Sequence, residues 1–102
     1  MIYFASCYPG FETNLWNDFS AIVVGGVYHT RHVFIMDIFR DRVETEGLID
    51  ALYHVNERWK PVTISIEATS AGTVMQYGLR EAQRIRGFMP WRMNSLARIG
   101  RS

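Results

Sequence analysis

Glu67 is the residue best placed for chemistry. It closes a compact run of β-formers, VTISIE, and a loop of small residues, ATSAG, follows it. In open α/β sheets, ligands collect outside the carboxyl ends of the strands. A carboxylate there suits a hard cation such as Mg²⁺, which prefers oxygen ligands. The same position also suits a solvated strand end, or an acid facing the next helix N-terminus. Asp18 precedes the second apolar run and could face the same end of the sheet; taken alone, it reads more simply as an Asx turn. Asp37 alternates with Val33, Ile35 and Phe39, so it is a polar residue on an apolar face. We read it as a structural bridge to Arg40 or Arg42 rather than as a metal ligand.

Arg80, Arg84, Arg86, Arg92, Arg98 and Arg101 form a basic series, with Phe88 and Trp91 interleaved. Arginines with aromatics between them suit phosphate contacts and base stacking. A solvated helix face would explain the helical part of the series; its continuation into the tail favours nucleic acid. His29, His32 and His54 have no cysteine or second carboxylate at ligand spacing, which argues against a zinc site. No nucleophile elbow, phosphate-binding loop or dinucleotide fingerprint is present. Cys7 has no activating base nearby and reads as a small buried side chain.

These residues need elements to position them. Residues 1–7 read as a strand with Tyr3, Ala5 and Cys7 on one face and Ile2, Phe4 and Ser6 on the other. Pro9-Gly10 breaks it, and a polar loop follows over 11–18. Residues 19–28 are β-branched and read as a second, largely buried strand; Gly25-Gly26 within it suggest a bulge or close packing. A short turn leads to a third strand over 32–39, and a hairpin is the default pairing.

The period then changes from 2 to 3.6. Leu48, Leu52, Val55 and Trp59 form one helical stripe, with Ile49 beside it and Thr45 as the expected N-cap. Pro61 ends this helix, and residues 62–67 form a fourth strand. Ser70 is expected to cap a second helix with Ala71, Val74, Met75, Gly78, Ala82 and Ile85 inward. Thr73, Gln76, Arg80 and Arg84 would lie opposite, and Gly87 would stop the helix. Residues 88–93 make a weak fifth strand, with Pro90 marking an edge or a start. The order is β-β-β-α-β-α-β. It implies a mixed sheet of about five strands, the first three antiparallel and the first, fourth and fifth parallel, with flanking helices.

The 102 residues allow a single domain, 1–102. Apolar residues make up 48% and charged residues 21%, the balance of a globular chain. No apolar run approaches the roughly 20 residues that cross a bilayer, so no membrane partner is expected. The single cysteine fits a reducing compartment. The net charge of +1 hides an asymmetry. Residues 1–67 carry five basic side chains against nine acidic ones, and residues 68–102 carry six arginines against Glu81 alone. An acidic part beside a basic part suits a cation site next to a polyanion track.

In order and spacing, YFASCYPG, NDFSAIVVGGV, VFIMDIFRDR, VTISIEATSAG and FMPWRMNSLARIGR span essentially the whole chain. Together they resemble the C-terminal nuclease domain of the phage large terminase subunit, which has a ribonuclease H-like fold. The resemblance implies a metal-dependent DNA endonuclease working with Mg²⁺ or Mn²⁺ on double-stranded DNA, in the cytoplasm of a bacterial host. Its implied partners are the terminase ATPase domain, the small terminase subunit and the portal.

In that family the first strand normally ends in a metal-binding aspartate before a Pro-Gly-like turn; Tyr8 stands there in this chain. The second carboxylate matches Glu67, and the acid before the second strand matches Asp18. A third metal-binding carboxylate belongs to a later segment outside these 102 residues, so the domain is expected to be incomplete. Two-metal hydrolysis needs carboxylates shared between cations roughly 3.5–4 Å apart. A phenol is a poor replacement, and impaired cleavage is expected. Arg80, Arg84, Arg92, Arg98 and Arg101 would contact nucleic acid. The alternatives are a non-catalytic prophage remnant that binds DNA or protein, or another ribonuclease H-like enzyme such as a resolvase or transposase. An incomplete sheet would leave an edge or face exposed, so self-association is also expected.

Overall fold

The structure is a computed structural model and describes residues 1–10, 19–29, 32–67 and 72–94. Its elements are β1 Ile2–Tyr8, β2 Ser20–Tyr28, β3 His32–Asp41, α1 Thr45–Trp59, β4 Ile64–Glu67, α2 Gly72–Arg86 and β5 Trp91–Asn94. They build one sheet in the order β3-β2-β1-β4-β5. β1 pairs antiparallel with β2, and β2 with β3; β1 and β4 pair parallel, as do β4 and β5. This is the expected mixed topology. The central strand β1 joins the hairpin half to the crossover half.

Pro90 has no N–H, so β5 begins one residue later, although the Pro90 carbonyl accepts the Ile64 N–H at 2.8 Å. β4 begins at Ile64 rather than at 62, although the Val62 N–H already bonds the Tyr3 carbonyl at 2.8 Å. α1 starts at Thr45 itself. Glu44 occupies the cap position with an extended backbone and no side-chain cap bond, so Thr45 is not the cap. The helix closes through Lys60 in the left-handed region, whose N–H bonds the Asn56 carbonyl at 3.0 Å just before Pro61.

Both helices lie on the same face of the sheet. Leu48, Ile49, Leu52, Tyr53 and Val55 of α1 are buried with Ala5, Cys7, Ile22, Val24, Ile64 and Ile66 beneath them. Met75 and Leu79 of α2 join this core. Val74 and Ile85, expected inward, are instead 54% and 70% exposed, while Leu79 takes the inward place. The reason is that, among the described residues, α2 has neighbours on one side only: the sheet, and α1 through Gly78, where an added Cβ would meet Ile49 Cδ1 at 2.7 Å. An apolar stripe wider than that contact stays in solvent.

The opposite face carries Ile2, Val33, Ile35 and Ile38, all exposed, and no described element covers it. A bulge between Val24 and Gly25 sets which residues of β3 reach it. Before the bulge Val33 pairs with Val27 and Ile35 with Gly25, on the open face. After it Asp37 pairs with Val24 and Phe39 with Ile22, on the helix face. One extra residue flips the alternation. Asp37 is therefore not on one face with Val33 and Ile35. No arginine bridge holds it among the described residues; its Oδ1 accepts the Ile38 N–H at 2.9 Å.

Candidate functional site

Ser6, Cys7, Tyr8, Ser65, Glu67 and Asn94 line a shallow crevice at the carboxyl ends of the three parallel strands. Ser6 pairs with Ser65, Cys7 with Ile66, and Glu67 with Asn94. The pleat then turns Ser6, Tyr8, Ser65, Glu67 and Asn94 to the open face and buries Cys7 and Ile66 beneath. The volume is about 20 Å³, room for one water or one small ion.

Glu67 is half-buried and stands in the middle of this row. Tyr8 is 41% exposed at the end of β1 and lines the crevice. Burial pushes the Cys7 thiol up to about 12, which keeps it protonated and unreactive, as a small buried residue should be. Ser20, just across β2, is fully buried and accepts the Gly10 N–H at 2.9 Å, which ties the turn after β1 to the hairpin. The sheet end that presents Tyr8 is held by that bond.

Several residues singled out in the sequence lie elsewhere. Asp18, Arg98 and Arg101 fall outside the described residues. Arg92 pairs with Ser65, so it is exposed on the open face, two residues before Asn94. Arg80 and Arg84 are exposed on α2, in the helix layer, and Arg84 is engaged with Glu81 at 2.8 Å. The structure thus brings Tyr8, Glu67 and Arg92 to one face and leaves Arg80 and Arg84 away from it. Ser6, Ser65 and Asn94 were missed in the sequence. The i, i+2 relation of Ser6 to Tyr8 and of Ser65 to Glu67 was a usable signal; Asn94 depended on register. His54 lies 3.5 Å from Asp50, and no cluster of three metal-binding side chains occurs among the described residues.

The crevice offers hard oxygen donors: one carboxylate, one amide carbonyl and hydroxyls. That set fits a single divalent cation, since Mg²⁺ is commonly held by one or two carboxylates with water and substrate phosphate completing its shell. Among the described residues it falls short of a two-metal centre, which needs more than one carboxylate.

No protein-family model matches the chain, and no curated protein matches it in sequence. Its fold does match solved structures. RuvC of Thermus thermophilus superposes with a TM-score of 0.67 at 10% identity, covering 91% of this chain and 63% of that one. RuvC of T. thermophilus in complex with a Holliday junction substrate gives 0.62 at 10% identity, covering 92% and 64%. The chain thus spans less than two thirds of each of these proteins. What the likeness establishes is the architecture: a RuvC-type, ribonuclease H-like mixed sheet of five strands with its helices alongside.

Proposed function

We propose that the chain is the DNA-acting part of a metal-dependent endonuclease domain, of the terminase kind, in which one carboxylate position is given up to Tyr8. The observation that carries this reading is the placement of Glu67 at the carboxyl end of β4, beside Tyr8, on the uncovered face.

Glu67 would hold Mg²⁺ or Mn²⁺ with the Asn94 carbonyl and the Tyr8 hydroxyl. Such a cation polarises a phosphodiester and lowers the pKa of bound water. Asp18, outside the described residues, would be the second carboxylate. Arg92 would contact the DNA backbone beside the crevice, with Arg98 and Arg101 continuing the track. Tyr8 would leave the site one negative charge short, so cleavage would be weak and binding the stronger activity. Partnership with a terminase ATPase domain, small subunit and portal, and residence in a bacterial host cytoplasm, belong to the same reading. Self-association would run through the open apolar face; a monomer by light scattering at high concentration would argue against it.

A supercoiled-plasmid assay with Mn²⁺ tests the proposal. The unmodified chain should nick slowly or not at all, with any nicking lost in Glu67→Ala. Nicking that survives Glu67→Ala would remove the site assignment. A non-catalytic, DNA-binding descendant is the second reading, and the phenol at position 8 favours it. Duplex binding with no Mn²⁺-dependent nicking, even in Tyr8→Asp, would select it.

A further inference from the structure

Arg40 and Arg42 converge on one aromatic ring. The guanidinium carbon of Arg40 lies 3.9 Å from the Phe19 ring centroid, and that of Arg42 lies 4.7 Å from it. Phe19 directly precedes β2, Arg40 is near the end of β3, and Arg42 follows that strand. Two like charges held this close repel each other. Among the described residues no carboxylate oxygen lies within 4.0 Å of either guanidinium. Asp41, between them in sequence, pairs with Ser20 on the helix face, and its carboxylate accepts the Arg42 backbone N–H at 2.8 Å. Asp37 is on the helix face as well. Phe19 is itself 40% exposed, so the fold holds against a ring at the surface two cations that have no carboxylate partner among the described residues. That is an arrangement for an anion from outside.

Its place on the sheet says which anion. Arg40 pairs with Ala21, and Ala21 with Tyr8. Glu67 stands on the next strand over, because Cys7 pairs with Ile66. Arg40, Tyr8 and Glu67 therefore form one row across the open face. Arg40 is three strand spacings from Glu67, about 14 Å along the backbone row. That distance equals about four base-pair rises of a duplex. Arg92 lies on the other side of Glu67, on β5. A nucleic-acid backbone laid across this end of the sheet would meet arginine on both sides of the crevice. The planar guanidinium fork matches phosphate oxygens in pairs.

We propose that Phe19 stacks Arg40 and Arg42 into a clamp for the DNA backbone, on the β3 side of the Glu67 crevice. The clamp deepens the DNA-acting reading and rests on it. Its ligand is the phosphodiester backbone, read without regard to sequence.

Fluorescence anisotropy with a labelled duplex, in EDTA over a salt series, tests the clamp. In Arg40→Gln/Arg42→Gln, binding near 0.1 M salt should weaken on the order of tenfold or more, and the salt slope should fall by about 1.8. Phe19→Leu keeps both charges and removes the ring; it should lose part of the affinity with less change in slope. Arg58→Gln removes an exposed arginine of the helix layer and should change affinity by no more than about twofold. Melting curves by circular dichroism show that each variant is folded. A double variant that binds with the affinity and slope of the unmodified chain overturns the clamp, as does an equal loss in Arg58→Gln. An unmodified chain that binds no duplex at low salt overturns the clamp and the DNA-acting reading together. Binding in EDTA that needs Arg40 and Arg42, together with a parallel titration in Mn²⁺ without EDTA that shows no difference between the unmodified chain and Glu67→Ala, supports the clamp and overturns the metal site alone.

Discussion

Tyr8 stands beside Glu67 at the carboxyl ends of the two central parallel strands, and both face the side of the sheet opposite the helices. The β1–β4 ladder pairs Cys7 with Ile66, so the residues that follow each are neighbours across the strands. A phenol and a carboxylate thus share the crevice.

Tyr8→Asp should therefore gain Mn²⁺-dependent nicking over the unmodified chain. Loss of a group that merely orients a metal ligand costs about 10–100-fold, so a restored ligand should yield more than about tenfold. Tyr8 is an exposed strand end, so the change should alter stability by no more than about 0.5 kcal/mol. Plasmid nicking and a urea titration measure the two effects. Robust cutting by the unmodified chain that vanishes in Glu67→Ala would sink the claim of impairment.

The two faces of the sheet should differ in their use of arginine. Arg92 is on the crevice face, while Arg80 and Arg84 project from α2 in the helix layer. Arg92→Gln should weaken duplex binding and lower the salt slope by about 0.9. Arg80→Gln/Arg84→Gln should leave the slope nearly unchanged. The reverse pattern would move the DNA to the helix layer.

Cys7 makes stability depend on pH. Its thiol is pushed up from 9.0 to about 12 by burial. Above pH 9 the unfolded chain loses this proton while the folded chain keeps it, so stability falls as pH rises. The loss contributed by Cys7 should reach about 1.4 kcal/mol by pH 10. Cys7→Ala should remove that part of the slope in urea titrations at pH 8 and pH 10. The native thiol should also resist a disulfide reagent until the chain unfolds.

Gly25 makes room for the Phe4 ring across the β1–β2 ladder. A Cβ there would lie 2.5 Å from the Phe4 ring, whose residue pairs with Gly25. Gly25→Ala should destabilise by about 1–3 kcal/mol, as overpacking does. Gly25→Ala combined with Phe4→Ala should cost less than the sum of the two changes, measured by a double-mutant cycle.

Much of this architecture was legible in the chain before folding. The periods of 2 and 3.6 identified five strands and two helices in the right order, because side-chain alternation and helical pitch are local properties of the backbone. The VTISIE run and the small-residue loop after it marked Glu67 for the same reason. The expected partners of Asp37 failed at a single point. A bulge between Val24 and Gly25 arises from how β2 and β3 bond to each other, and it reverses every side chain beyond it. Val74 and Ile85 were placed inward because pattern shows which face is apolar and not whether anything covers it.

By itself, then, the sequence determined the element order and the strand-end acid, both set by neighbours along the chain. The tertiary structure decided which side chains share a face. It put Asn94, Ser65 and Arg92 around Glu67, moved Arg80 and Arg84 away, and drew Arg40 and Arg42 onto Phe19. The groupings on the sheet follow from ladder register between strands, and hydrogen bonds that form only on folding set that register.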